Sequence, residues 1–224
     1  SLKNNRLFKD LNIEFINKDF FQEALSIKIC GVRKNFNSAY QRFTLDGPMA
    51  FLPYFKDEAS VVWSIKKESK VSKLKDNEIE KIIIQKLDKF IQDVSIKSIE
   101  RHNLKFRFAK KLYDSKSLVI GNIAHNIHPI AGQGLNLSIK DIALFSKLVS
   151  NYSKIGYEIN HPMIFEKFDQ ERKLDNTVYS FGTLAIDEIF SSQNNLINFF
   201  SRQGLKLVEK NNFLKKLIVN SATG

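Results

Sequence analysis

The chain has 224 residues, 43% of them hydrophobic and 19 of them phenylalanine, which is enough to bury the core of one or two domains. A single cysteine, Cys30, excludes an internal disulfide framework. Apolar runs stay well short of the ~18 to 20 residues that span a bilayer, and the first residues do not resemble a secretory signal peptide. We therefore expect a cytoplasmic protein.

The formal net charge of +11 raises the question of an acidic partner. Of the 35 basic residues 28 are lysines, and they are scattered along the chain instead of being clustered with aromatic residues. That distribution argues against a nucleic-acid interface. A basic face that rests on an anionic membrane surface stays open as an alternative, since a lysine near such a surface contributes about 1 kcal/mol.

The first third of the chain predicts a short helical turn and then a sheet. Leu7, Phe8 and Leu11 suggest one helical turn near the start. Between residues 23 and 66, alternating or β-rich segments are separated by turns at Gly47 and Pro48 and at 56–58, which indicates an antiparallel meander. The predicted strands are 24–30, 39–45, 49–54 and 60–65.

The next segment predicts a helix and two strands. Apolar residues recur at helical spacing over 76–90, with Asp76 as a possible N-cap. Two β-rich runs follow at 94–99 and 104–108.

A glycine-rich loop between a strand and a helix is the most informative stretch. Residues 117–120 predict a buried strand that stops at Gly121. An amphipathic helix is predicted from Leu135. The apolar positions that define this helix are Leu135, Ile139, Ile142, Ala143, Phe145, Leu148 and Val149.

The loop between them holds Gly132 and Gly134 directly before the helix. Glycine permits positive φ and close backbone approach, and the first N–H groups of a helix favour an anion or a polarised carbonyl. By itself this pattern fits a tight structural turn as well as a ligand site.

The last third predicts a long helix over 164–191, followed by helical segments at 196–200 and 205–218. The residues expected on the buried face of the long helix are Phe165, Phe168, Leu174, Val178 and Phe181.

The complete run GNIAHNIHPIAGQGLNLSIKD closely resembles the second flavin-binding motif of the class A flavoprotein aromatic hydroxylases, GDAAHxxxPxxGxGxNxxxxD. Within that family HPIAGQGLN, and also the segment from Ala39 to Trp63, are most similar to the hydroxylases of ubiquinone biosynthesis. The family likewise has helices near its end with an Arg and an Asp at the spacing of Arg172 and Asp175. Residues that match the motif are Gly121, Ala124, His125, Pro129, Gly132, Gly134, Asn136 and Asp141.

The resemblance implies that the loop lies against the flavin ring of FAD, with N–H groups near Gly134, Leu135 and Asn136 facing its pyrimidine edge. Where the family has Asp against the ribityl chain, this chain has Asn122, whose amide oxygen accepts a hydrogen bond without the strength of a carboxylate. The expected cofactor-binding residues are Gly121, Asn122, His125, Pro129, Gly132, Gln133, Gly134, Leu135 and Asn136.

Other side chains carry weaker expectations. Tyr40 and Arg42 lie on the sheet that, by resemblance, covers the face of the flavin, and are expected to bind substrate, although a solvated Arg42 fits equally well. His125 and His128 are expected to hold the loop through backbone hydrogen bonds, with metal binding a less favoured alternative. We expect no catalytic side chain among these.

The resemblance covers only part of the family's length. A GxGxxG motif after a first strand, a ribose-binding acid and an Asp-Gly motif are missing, so we expect the C-terminal portion of a longer protein, inactive alone. The expected fold is α+β: an antiparallel substrate-domain sheet with helices, plus the strand and helices of a flavin-binding domain without its Rossmann-like half. The expected parts are a remnant at 1–21, a substrate domain at 22–112, a flavin-binding segment at 113–152 and C-terminal helices at 153–224.

The resemblance thus implies an FAD-dependent monooxygenase that uses NAD(P)H and O₂ to hydroxylate a polyprenylated phenol in ubiquinone biosynthesis. Its expected location is the cytoplasm, with peripheral contact at the inner membrane or with a ubiquinone-biosynthesis complex. Two alternatives remain: a related hydroxylase of a soluble phenol, and a non-catalytic interaction module.

Overall fold

The computed structural model describes residues 11–32, 38–55, 57–87, 91–129 and 132–191. The predicted helical turn around Leu7 and Phe8 and the predicted helical segments at 196–200 and 205–218 lie outside these residues.

The chain forms two compact units. One combines Ser1–Lys18 with Phe106–Gly224, and the other is Asp19–Lys105. We call them the loop unit and the sheet unit. Strands β1 (Phe15–Val32) and β5 (Ile91–Ala109) each run from one unit into the other.

The sheet unit contains the predicted meander. Strands β2 (Tyr40–Thr44), β3 (Gly47–Phe55) and β4 (Glu58–Lys66) pair antiparallel in that order. β1 pairs with β4, so it does not lie beside β2 as chain order would suggest. The turn into β3 needs a glycine, because Gly47 has φ +135° and a Cβ there would lie 2.0 Å from the carbonyl oxygen of Ser64. The sheet confirms the predicted α+β class.

The core of the sheet unit lies between one face of this sheet and helix α1 (Asp76–Leu87). Period-two alternation puts every second residue of the strands on that face, and the helix adds residues at helical spacing. The buried members are Leu25, Ile27, Ile29, Met49, Phe51, Ala59, Val61, Trp63, Ile65, Val71, Ile79, Ile83 and Leu87.

The two strands predicted at 94–99 and 104–108 are one continuous strand, β5. The polar stretch between them, around Arg101, lies at an exposed part of the strand. There Arg101 donates hydrogen bonds to the carbonyl oxygens of Ser72 (3.1 Å) and Leu74 (2.9 Å). A strand with one solvated face does not need apolar residues throughout its length.

The prediction of a strand at 117–120 is wrong. Only a single bridge, between Tyr113 and Leu118, is formed there, and the Val119 N–H donates to the carbonyl of Leu112 at 2.7 Å. The short strand of this region is β6 (His125–Asn126), which pairs with the end of β5. The apolar side chains at 117–120 therefore indicate burial in the loop unit and not pairing in a sheet.

Two helices complete the described part of the loop unit, α2 (Gly134–Ser153) and α3 (Pro162–Ser191). Among the residues that defined the predicted apolar face of α2, Leu148 is buried, but Leu135, Ile139 and Ile142 are exposed. Leu137 and Asp141 are buried instead.

On α3, Phe165 and Phe168 are buried as predicted. Leu174, Val178 and Phe181 are exposed, which corrects the prediction, although the ring of Phe181 contacts those of Phe106 and Phe108. The inward stripe of α3 continues instead through polar side chains, which hydrophobic periodicity does not detect. These buried polar residues are Arg172, Asn176, Ser180 and Thr183.

None of the helices in the described ranges is both long and apolar enough to cross a membrane.

Candidate cofactor-binding loop

The glycine loop begins at a tight turn that requires its first glycine. Gly121 has φ +62°, and a Cβ at this position would lie 3.1 Å from Ser138 Oγ on α2. Its N–H donates a hydrogen bond to Asp141 Oδ2 at 2.8 Å. Both the backbone conformation and the close approach to α2 therefore favour glycine here.

The other end of the loop contains two glycines with different constraints. Gly132 has φ +62°, and its N–H donates to the carbonyl of Pro129 at 2.9 Å. At Gly134 a Cβ would meet only Ile127 Cγ1 at 3.9 Å and Asn122 Oδ1 at 4.0 Å, which is ordinary van der Waals contact. Position 132 therefore favours glycine because of its positive φ. At position 134 the described residues leave room for a side chain.

The start of α2 presents backbone donors beside that room. The Leu137 N–H makes an early bond of the helix, to the carbonyl of Gln133 at 3.0 Å, so the N–H groups of Gly134, Leu135 and Asn136 precede it at the positive end of the helix dipole. Leu135 and Asn136 are exposed. Such a helix start suits an anion or a polarised carbonyl oxygen.

Behind the loop lies a buried carboxylate that joins three segments of the chain. Asp141 on α2 accepts hydrogen bonds from the Gly121 N–H at 2.8 Å and from His125 Nε2 at 2.7 Å through Oδ2. Its other oxygen, Oδ1, accepts from Arg172 Nε on α3 at 2.7 Å. The side chains of Asp141 and His125 are fully buried and that of Arg172 is 6% exposed. The arrangement fixes the loop to both helices.

Each of the three guanidinium nitrogens of Arg172 donates a hydrogen bond. The two terminal nitrogens donate to Asp175 Oδ2 at 2.8 Å and to Asn176 Oδ1 at 3.0 Å. This fork geometry is specific to arginine, because a lysine ammonium acts as a single point charge.

Asp141 is held in its charged form. Burial by itself would raise the pKa of this carboxyl group, but the hydrogen bonds from His125, the Gly121 N–H and Arg172 outweigh burial and lower the pKa below its ordinary value. A permanently charged carboxylate can therefore hold the loop throughout the neutral pH range.

His128 forms a second, weaker link between the loop and α3. Its Nε2 lies 3.6 Å from Asp187 Oδ1, and its side chain is fully buried. Burial lowers the pKa of His128, although the nearby carboxylate of Asp187 opposes this shift. The expectation of a backbone bond is corrected for His125, whose Nε2 bonds to the carboxylate of Asp141 while its Nδ1 has no partner among the described residues. For His128 that expectation stays a prediction.

A small cavity adjoins this network. His125 Nδ1 and Asn176 Nδ2 are buried without a hydrogen-bond partner among the described residues, and both residues line a cavity of about 10 Å³. Its volume is close to that needed for one water molecule. Within the described ranges, His, Cys, Asp and Glu side chains form no group of three or more that could hold a metal ion.

Of the expected cofactor-binding residues, Asn122 and Gly134 lie close together at the start of α2, whereas the side chain of His125 is fully buried against Asp141; cofactor contact by this set stays a prediction. The expected substrate residues Tyr40 and Arg42 lie on β2 in the sheet unit, both with exposed side chains. Their role stays a prediction. Sequence reasoning noted the spacing of Arg172 and Asp175 without a role, and it missed Asn176 and Asp187, because neither residue stands in a motif that names its partner.

Comparison with known proteins identifies relatives over nearly the whole chain. A 3-demethoxyubiquinol 3-hydroxylase of Escherichia coli is 27% identical over 190 residues, which cover 84% of this chain and 49% of that protein. A ubiquinone hydroxylase of Rhodospirillum rubrum is 25% identical over 209 residues, with coverage of 91% and 48%. This chain spans about half the length of the curated relatives it matches.

Solved structures show the same fold at low sequence identity. A p-nitrophenol 4-monooxygenase from Pseudomonas putida superposes with a TM-score of 0.75 at 9% identity, over 96% of this chain and 55% of that chain. An anhydrotetracycline hydroxylase from Streptomyces rimosus gives a TM-score of 0.67 at 16% identity, with coverage of 96% and 43%. A family model described as an FAD binding domain matches residues 9–159, which include all the described strands, the glycine loop and α2. The chain therefore belongs to the FAD binding domain family, in agreement with the flavin motif of its loop.

Proposed function

We propose that this chain forms the flavin-ring side of the FAD site in a monooxygenase that hydroxylates a polyprenylated phenol in ubiquinone biosynthesis with NAD(P)H and O₂. The proposal rests on the start of α2, where the backbone N–H groups of Gly134, Leu135 and Asn136 lie together and the described residues leave room for a side chain at Gly134. The names of the curated relatives support the substrate class.

The residues of the loop fit the flavin end of FAD. The N–H groups of Gly134, Leu135 and Asn136 would stabilise negative charge on the pyrimidine edge of the reduced ring, by the same electrostatic principle as an oxyanion hole. The Asn122 amide oxygen, near Gly134, would accept a hydrogen bond from a ribityl hydroxyl. When bound, FAD supplies the reduction and activation of O₂, while the protein contributes position and electrostatics.

The substrate side of the proposal rests on the sheet unit. Tyr40 and Arg42 would contact the phenol from β2, and a polyprenyl tail would bring the protein to a membrane surface or to a complex of ubiquinone biosynthesis. The net charge of +11 supports contact with an anionic surface.

A first experiment tests cofactor binding directly. The visible absorption spectrum of the purified chain after incubation with FAD and removal of free flavin is compared with that of the same chain extended by its upstream coding sequence. We expect flavin absorption in the extended protein, and little or none in the chain alone. If neither protein retains flavin, the proposal fails and the non-catalytic interaction module becomes the better explanation.

A second experiment tests the position of the flavin. G134A should leave folding nearly unchanged, because the nearest atoms to a new Cβ lie 3.9 Å away, but it should weaken flavin retention if the ligand occupies that space. G182A, in the middle of α3 with no atom within 4 Å of its Cβ, is the matched control and should retain flavin. Equal flavin content in G134A, G182A and the parent protein would place the flavin elsewhere.

A further inference from the structure

The buried arginine on α3, Arg172, is joined to the glycine loop. Arg172 lies 51 residues beyond Gly121 in the chain, yet a single carboxylate joins them, because Asp141 accepts from the Gly121 N–H on one oxygen and from Arg172 Nε on the other. The first turn of the glycine loop and the middle of the last described helix are thus coupled through two hydrogen bonds of 2.8 and 2.7 Å.

The direction of this coupling follows from the chemistry of the three groups. A buried carboxylate that loses a cationic partner must regain stabilisation from its remaining donors or take up a proton. The remaining donors to Asp141 are the Gly121 N–H and His125, which both belong to the loop. A change at Arg172 is therefore transmitted to the loop and not to solvent.

The arginine is itself fixed. Asn176 accepts from one terminal nitrogen at 3.0 Å and Asp175 from the other at 2.8 Å, while the side chain is 6% exposed. Three acceptors on one planar fork define both its distance and its orientation toward Asp141.

We propose that Arg172 is a positioning residue for the glycine loop, which sets the placement of Gly121 and His125 through Asp141 and thereby tunes cofactor affinity from α3. The link to cofactor affinity rests on the proposed function, whereas the link to loop geometry does not.

The test uses R172K, which keeps the charge but loses the fork, in the full chain without cofactor. We expect the backbone amide of Gly121 to exchange with deuterium on the order of tenfold faster than in the parent chain, the scale at which residues act on a site through another residue. Amides in the core of the sheet unit, such as that of Trp63, should keep their exchange rates. N176A, which removes one acceptor of the fork, should produce a smaller change in the same direction and serves if R172K does not fold.

The matched control is R101K. Arg101 is also an arginine that donates to several acceptors, but it lies in the sheet unit and contacts Ser72 and Leu74. It should lower stability without selectively accelerating exchange at Gly121. Equal Gly121 exchange in R172K and the parent chain, or equal acceleration in R172K and R101K, would overturn the proposal.

A second readout concerns the cofactor. In the flavin-retaining protein, R172K should raise the Kd for FAD, measured by flavin fluorescence, on the order of tenfold, and R101K should not. Faster Gly121 exchange with an unchanged Kd would overturn the tuning of affinity. If the parent protein binds no FAD, the proposed function fails, and the exchange measurement still decides whether Arg172 positions the loop.

Discussion

At the scale of single residues, the loop is held by charge that is buried and fully paired. A carboxylate removed from water is stable only when it accepts hydrogen bonds from donors that replace its hydration. Asp141 has three such donors, one from the backbone and two from side chains. Removal of one partner from a buried pair is therefore far more costly than removal of a partner at the surface.

The difference between a buried and an exposed partner can be measured with substitutions of two carboxylates that bind the same arginine. D141N removes the buried charge and leaves Arg172 without its anionic partner in the interior, so we expect a loss of about 3 kcal/mol in the free energy of unfolding. D175N removes the partner whose side chain is 48% exposed and should cost less than about 1 kcal/mol. Urea denaturation of both variants tests the difference, and similar losses would contradict it.

His128 should make stability depend on pH. Because burial lowers its pKa in the folded protein, the unfolded chain binds the proton more readily, so stability should decrease as the pH falls below about 6.5. Asp141, whose pKa is lowered in the folded state, adds a further loss only below about pH 4. In H128Q the decrease between pH 7 and pH 5 should become shallower. An unchanged slope in denaturant titrations at several pH values would exclude His128 as its source.

At the scale of elements, the helices of the loop unit bury a stripe that begins apolar and becomes polar. On α3 the stripe runs from Phe165 and Phe168 to Arg172 and Asn176, one helical turn at a time. Arg172 reaches Asp141 on α2, while Asn176 accepts from Arg172 and Thr183 donates to the carbonyl of Ser180 within α3 itself. Leu174 and Val178, which are more hydrophobic, lie outside the stripe.

The orientation of α3 predicts a large loss of stability for one large-to-small substitution and almost none for another. F168A removes a fully buried ring that packs edge-on against Phe145 at a centroid distance of 6.0 Å and should cost about 3 to 5 kcal/mol in the free energy of unfolding. L174A changes a side chain that is 73% exposed and should alter stability by less than about 0.5 kcal/mol. Thermal or urea unfolding measures both. A large loss in L174A would indicate that this face is covered.

At the scale of the whole molecule, two units with separate cores share two long strands. The sheet unit has its core between its strands and α1, while the loop unit has its core among the glycine loop, α2 and α3. The chain spans about half the length of the curated relatives it matches.

The net charge of +11 gives a prediction at this scale. If the protein contacts an anionic membrane surface through its lysines, it should float with anionic phospholipid vesicles at low salt and be released as ionic strength rises. Neutral vesicles are the control. Equal flotation with neutral and anionic vesicles, or flotation that is insensitive to salt, would exclude an electrostatic contact.

The family, the α+β class, the β2 to β4 meander and the position of the glycine loop before a helix could all be predicted from the amino-acid sequence. These features depend on local signals: period-two alternation, turn residues, and a motif whose glycines and proline lie close together in the sequence. Three features became visible only in the folded chain: the buried faces of α2 and α3, the irregular backbone at 117–120, and the hydrogen bonds that join Asp141 to Gly121, His125 and Arg172. The physical reason is that a buried polar side chain is stable only with its partners, and those partners come from segments far apart in the chain.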